Sequence, residues 1–149
     1  MVEISTITLI SYEPLRKILR EIVLREIFLY TVEPIPDGAY LTVTFDVGLP
    51  AGTRARNILE APSDLLYRLK ILNLKTPVEA RGRIYVLIDG VERLVAELDE
   101  DREGEIDVDE QYGNLYVEKL ILEAETKTET TAPRSVTLNY AGSLVKKFK

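Results

Sequence analysis

Histidine, cysteine and tryptophan are all absent from the 149 residues, and each absence closes off some chemistry. Without cysteine there are no disulfides, no thiolate nucleophile and no thiolate metal site, and the redox compartment stays open. Without histidine, the usual general base near neutral pH and the commonest zinc ligand are missing. Ser-His-Asp and Cys-His mechanisms and ordinary zinc hydrolase sites are therefore excluded. Amides are scarce as well: Gln111 is the only glutamine and Asn57, Asn73, Asn114 and Asn139 the only asparagines. Beside abundant Glu, Arg, Lys, Ile and Leu, this is the profile of a hot-adapted protein. No apolar run approaches the roughly 20 residues that span a bilayer. The greasiest stretch, 18–30, is interrupted by Arg20, Glu21, Arg25 and Glu26. The first residues, Met-Val-Glu-Ile-Ser, lack the basic segment and apolar core of a secretory signal, so none is expected.

What is present describes a folded globular chain, with 46% hydrophobic and 30% charged residues. The length suits one domain over 1–149, and no repeat or linker divides it. The net charge of −6 is unevenly placed: residues 1–83 sum to +1 and residues 84–149 to −7. A phosphate backbone meets repulsion along the second half, so neither a nucleic-acid nor a membrane partner is expected.

Residues 2–10 are β-branched and partly alternating, reading as a strand or, with 1–12 together, an extended arm. Ser11 is placed to cap a helix. Leu15, Ile18, Leu19, Ile22, Val23 and Ile27 follow at spacings of three and four, which predicts an amphipathic helix running into extended chain at 28–32. After the turn at Pro34–Gly38, Leu41, Val43, Phe45 and Val47 alternate with polar residues, predicting a strand with one buried face. Residues 48–57 lack periodicity and predict a long loop able to reach a neighbour. A short second helix is expected from Ser63 through Leu65, Leu66 and Leu69, with the hydroxyl as cap.

Asp89-Gly90 tolerates the positive φ angles of a type I′ turn, so 83–88 and 91–98 predict a hairpin pairing Ile88 with Val91, Tyr85 with Leu94 and Ile84 with Val95. Both of its faces are substantially apolar. Residues 115–126 and 136–141 read as further strands, joined by a polar loop at 127–134, and Lys146, Lys147 and Lys149 form a basic tail. The fold class expected is therefore mainly β: an antiparallel β-sandwich or barrel with one N-terminal amphipathic helix and a short second helix.

The most specific local motif runs from Asp99 to Glu110. It resembles the calcium loop of EF-hand proteins, with acids at loop positions one, three and five, glycine at six, isoleucine at eight and glutamate at twelve. The resemblance implies Asp99, Asp101, Glu103, Glu105 (by its carbonyl), Asp107 and Glu110 as calcium ligands. Position five is longer than usual, and Gly113-Asn114 interrupts the helix that should follow. The competing reading is an acidic turn at Arg102–Gly104 leading into a strand, with Ile106 and Val108 inward and the acids outward. A second motif, Glu123, Glu125 and Lys127 with Asp109 upstream, is similar to the acid-x-Lys arrangement of magnesium-dependent nucleases. A charged sheet edge that discourages aggregation explains it equally. No catalytic residue and no organic cofactor is expected. The eight tyrosines fit half-buried core positions or an interface.

From Arg83-Ile-Tyr-Val-Leu-Ile-Asp-Gly through Val136-Thr-Leu-Asn-Tyr-Ala-Gly, the second half resembles small β-rich virion proteins of thermophilic tailed phages and archaeal viruses, such as capsid decoration subunits. That resemblance implies a non-enzymatic structural protein in the virion, homo-oligomeric and often trimeric, whose partners are itself and other capsid proteins. Residues 1–12 and the loops at 48–57 and 126–135 would be the contact elements. The alternatives are a calcium-dependent binding module for carbohydrate or another extracellular ligand, a magnesium-dependent nuclease, and a cytoplasmic location in place of the virion.

Overall fold

The computed structural model describes residues 29–147, so the expected arm at 1–12 and helix at 15–27 lie outside the described residues. Within them the chain is mainly β. In chain order come β1 (Leu29–Pro34), β2 (Tyr40–Phe45), β3 (Arg54–Glu60), β4 (Leu65–Thr76), β5 (Ala80–Ile88) and β6 (Val91–Leu98). β7 (Arg102–Asp107) and one short helix, α1 (Val108–Tyr112), precede β8 (Leu115–Val117), β9 (Lys119–Thr126) and β10 (Arg134–Lys147). They form two antiparallel sheets. The larger runs β1-β10-β4-β7, with β2 also on β10 and β8 also on β4; the smaller runs β3-β9-β5-β6.

Alternation builds each sheet's inner face. In β2, Leu41, Val43 and Phe45 are buried as the period-two pattern predicts, but Val47 lies beyond the strand and is 59% exposed. The core joins both sheets: Leu69, Leu72, Leu74, Val136 and Leu138 from the larger meet Ile84, Val86, Leu120 and Leu122 from the smaller. Each such aliphatic side chain, fully removed from water, contributes about 1.5–3 kcal/mol. Gly82 marks a close approach of the sheets, since a Cβ there would lie 3.0 Å from Val136 Cγ1 and 3.1 Å from Thr76 Cγ2.

The hairpin of β5 and β6 forms as expected, with Asp89 at φ 51° and Gly90 at φ 77° pairing Ile88 with Val91 and Tyr85 with Leu94. A bulge then intervenes, and Ile84 faces Ala96 instead of Val95. The extra residue turns Val95 aside, where its carbonyl accepts from the Tyr112 hydroxyl at 3.1 Å and ties α1 to the edge of β6.

The short second helix does not form. Asp64 takes φ 69° in a tight turn, Leu65 N donates to Pro62 O, and β4 starts there. The spacings of Leu65, Leu66 and Leu69 arise because Leu66 is half-buried on the opposite side of the strand from Leu65 and Leu69, and the run continues to Leu72 and Leu74 because β4 changes its inward set at an irregularity opposite Gly142. A parity change inside a strand imitates a helical period. The expected loop 48–57 is also shorter, because β3 already begins at Arg54, while β10 extends well past the expected 136–141.

Neither loop reaches away from the body. Thr130 is 2% exposed; its hydroxyl donates to Asp46 O at 2.6 Å and accepts from Leu49 N at 2.9 Å, so the two loops are sewn to each other. Glu79 accepts from Thr131 N, Thr131 Oγ1 and Arg134 Nε, each at 2.9 Å, which holds the 127–134 loop from its other side.

Candidate functional site

Among the described residues, the outer face of the smaller sheet carries a connected network of ion pairs. Because Ala55, Leu59, Leu120, Leu122 and Ala124 point to the core, the intervening residues of β3 and β9 point outward. Antiparallel register then aligns them in rows across the strands. One row reads Arg56, Glu123, Arg83, Glu97, and the next reads Arg54, Glu125, Arg81. Charge alternates with strand along both rows.

The contacts follow the register. Arg83 Nε donates to Glu97 Oε2 at 2.6 Å, while its Nη1 lies 3.3 Å from Glu123 Oε1 and its Nη2 3.1 Å from Glu125 Oε1. Arg56 reaches Glu123 at 3.2 Å and Glu92 at 2.9 Å. Arg54 Nε lies 3.4 Å from Glu125 Oε2. Burial alone would push the Glu125 carboxyl up, yet Arg54 and Arg83 hold it below the ordinary glutamate range. The hydrogen bond from Arg56 likewise lowers Glu92. For Arg83, burial works against the charge, and the bond to Glu97 with the neighbouring glutamates outweighs it.

Beside the ladder runs an apolar row, Ile58, Ile121, Tyr85 and Leu94. Its middle is closed over: Ile121 is 1% exposed, and the Arg56 guanidinium stacks 5.0 Å from the centre of the Tyr85 ring. Its ends are open, with Ile58 at 47% and Leu94 at 55% exposed. This face was legible in part, because Arg54-Ala-Arg56, Arg81-Gly-Arg83 and Glu123-Ala-Glu125 repeat one charge at the strand period. Of its members, the glutamates and the Tyr85–Leu94 pair are the ones expected from local pattern.

Those glutamates do not form a nuclease site with the residues proposed beside them. Glu123 and Glu125 are engaged by arginines; Lys127 Nζ pairs with Asp99 at 2.6 Å and with Glu100 at 3.7 Å. Asp109 lies on α1, 3.7 Å from Arg68.

The segment from Asp99 to Glu110 does not adopt the EF-hand loop. Its middle is β7, paired to β4 from Arg102↔Thr76 to Asp107↔Ile71. A strand carries Glu103, Glu105 and Asp107 outward in line instead of wrapping them around a point. Asp107 caps α1 by accepting from Glu110 N at 3.1 Å, Asp101 turns the chain at φ 55°, and Asp99 pairs with Lys127. The Lys127 hydrogen bond, with the Glu100 amide, holds the Asp99 carboxyl below its usual range. Ile106 half-buried and Val108 fully buried face inward as the competing reading expects, but its turn at Arg102–Gly104 is already part of β7, the chain turning at Asp101 instead, and Val108 opens α1 and not a strand. Among the described residues no group of three acidic side chains is placed to hold a metal. A cleft of about 350 Å³ lies elsewhere, beside Glu60, Ser63, Asp64, Glu118 and Lys119.

No protein-family model and no curated protein matches the sequence. Among solved structures, a chain in the structure of infectious bursal disease virus Gt strain is similar at TM-score 0.36 and 15% identity, over 80% of this chain and 32% of that one. A chain of T=1 particles derived from the same virus is similar at TM-score 0.35 and 16% identity, over 80% and 31%. Drosophila melanogaster CENP-C, in its structure bound to CAL1, is similar at TM-score 0.34 and 13% identity, over 86% and 94%. The chain thus spans about a third of the length of the viral chains it matches.

Proposed function

We propose that this chain is a non-enzymatic structural protein that works by contact: a virion subunit that decorates or stabilises the capsid of a heat-adapted virus. The observation that carries the contact reading is the outer face of β3, β9, β5 and β6. There Arg54, Arg56, Arg83, Glu123, Glu125 and Glu97 neutralise one another across strands, and Ile58 and Leu94 are left open beside them. Carboxylates already paired with arginines are poorly placed to serve as proton donors or free metal ligands, whereas a charge-patterned sheet with exposed apolar ends suits docking. An ion-pair network of this kind also suits high temperature, where the cost of desolvating charge falls. The virion assignment rests on the resemblance carried by 83–90 and 136–142.

Immunogold labelling of purified particles from the virus that encodes the chain tests this. Regular labelling of the shell is expected. Label confined to infected-cell lysate, with none on particles, removes the virion assignment.

A further inference from the structure

We propose that the outer face of the smaller sheet is a homodimer interface, on which a second copy of this chain stacks face to face about a two-fold axis parallel to the strands. The inference deepens the assembly reading and rests on it.

Its basis is a property of the charge rows. Read from β3 to β6, Arg56, Glu123, Arg83 and Glu97 run plus, minus, plus, minus. An axis along the strands between β9 and β5 presents this row reversed. Arg56 then meets the partner's Glu97, while Glu123 and Arg83, already paired with each other within one chain and little exposed, lie opposite their counterparts of complementary charge. In the next row Glu125 meets the partner's Arg81, and Arg54 meets the partner's Asp99, which lies just past β6 and 3.9 Å from Arg81 within its own chain. An alternating row over an even number of strands is complementary to its own reverse.

The apolar row obeys the same operation. Ile58 and Leu94, its two exposed ends, fall on each other, while the closed middle of the row, Ile121 and Tyr85 under Arg56, lies at the axis without contributing open apolar surface. One pairing is unfavourable: Glu60 approaches the partner's Glu92. Each already has a cation in its own chain, Lys119 at 3.9 Å from Glu60 and Arg56 at 2.9 Å from Glu92. An axis across the strands would pair Arg56 with the partner's Glu60 and Glu123 with the partner's Lys119, but it sets Glu97 against the partner's Glu92 and lays Ile58 and Leu94 each on its own copy, so changing both in one chain tells the two axes apart.

Four strands about 4.8 Å apart and seven residues at about 3.4 Å each give a face roughly 19 Å by 24 Å. That is below the ~800 Å² each partner contributes to a standard interface, the size class of weak and transient associations. Aligned sheets accept such stacking at roughly 30°. The charges set orientation more than strength, which comes from the exposed ends of the apolar row, Ile58 and Leu94.

Sedimentation equilibrium of the full chain across the micromolar range tests the interface and its axis together. The expected result is a reversible monomer–dimer equilibrium, weakened at least tenfold by Ile58→Lys alone and by Leu94→Glu alone. Combined in one chain, the two changes restore dimerisation, because each new lysine lands on the partner's new glutamate. Both positions are exposed, so neither change threatens folding. A chain that stays monomeric throughout, or a dimer that ignores both single changes, overturns the proposal. So does a monomer whose melting temperature falls with Leu94→Glu, which would show residues 1–28 of the same chain covering the face. A monomer that still labels virus particles would sink this inference and leave the assembly reading standing.

Discussion

A Cβ placed on Gly142 would overlap the carbonyl oxygen of Arg68 on the neighbouring strand. Gly142 sits at φ 152° where β10 slips register against β4, and the missing side chain lets the two longest strands stay paired through the irregularity. Gly142→Ala is expected to lose about 2–4 kcal/mol from strain and displaced backbone. Chemical denaturation with an unchanged m-value checks it. Stability equal to the parent would show that the slip does not need glycine.

Arg83 joins three carboxylates, two of them on β9 with side chains only 9% and 16% exposed. Arg83→Met leaves Glu123 and Glu125 with less compensation, and a loss of about 2–4 kcal/mol is expected. Arg93→Met, at an exposed position on the same hairpin, should change stability by less than about 0.5 kcal/mol. Equal effects from the two would mean that the ladder is ornamental to folding.

Acid should unfold the protein in a definite window. Glu79 is held below the ordinary range chiefly by the Thr131 amide and then by Arg134, Glu92 by Arg56, Asp99 by Lys127, and Glu125 by Arg54 and Arg83 against its burial. Folded values below unfolded ones mean that this stability is present above the unfolded carboxylate range, about pH 4, and is lost as pH falls through the lowered values. Melting temperature should therefore be flat near neutrality and fall steeply below about pH 4. A fall centred near pH 6 would contradict it.

Calcium should not raise the melting temperature. The six acids from Asp99 to Glu110 are spread over a turn, a strand and a helix cap, and Asp99 is already paired with Lys127. Ligand linkage makes any specific site visible as stabilisation that chelator reverses. Such a shift at micromolar to millimolar calcium would restore the binding-module reading. By the same geometry, any magnesium-dependent nucleolysis in a preparation should survive Glu125→Ala and Lys127→Ala unchanged, as a contaminant would.

The amino-acid sequence by itself determined the class of the fold and several of its parts. Period-two alternation at 41–45 and Asp-Gly between β5 and β6 are local signals, and local physics was enough to place those strands, whereas the single strand expected at 115–126 breaks at Glu118 and gives β8 to the larger sheet and β9 to the smaller. The absence of imidazole and thiol groups likewise needed no structure to narrow the chemistry. Only the tertiary structure decided where the pattern breaks: the parity change in β4, the bulge at Val95 and the register slip at Gly142 depend on neighbouring strands. It also decided the company each charge keeps. Glu123 and Glu125 look alike in a sequence whether they face a metal or an arginine. Their partners sit 67 to 71 residues earlier on β3 and about 40 earlier on β5, and antiparallel register, a long-range property, brings them together.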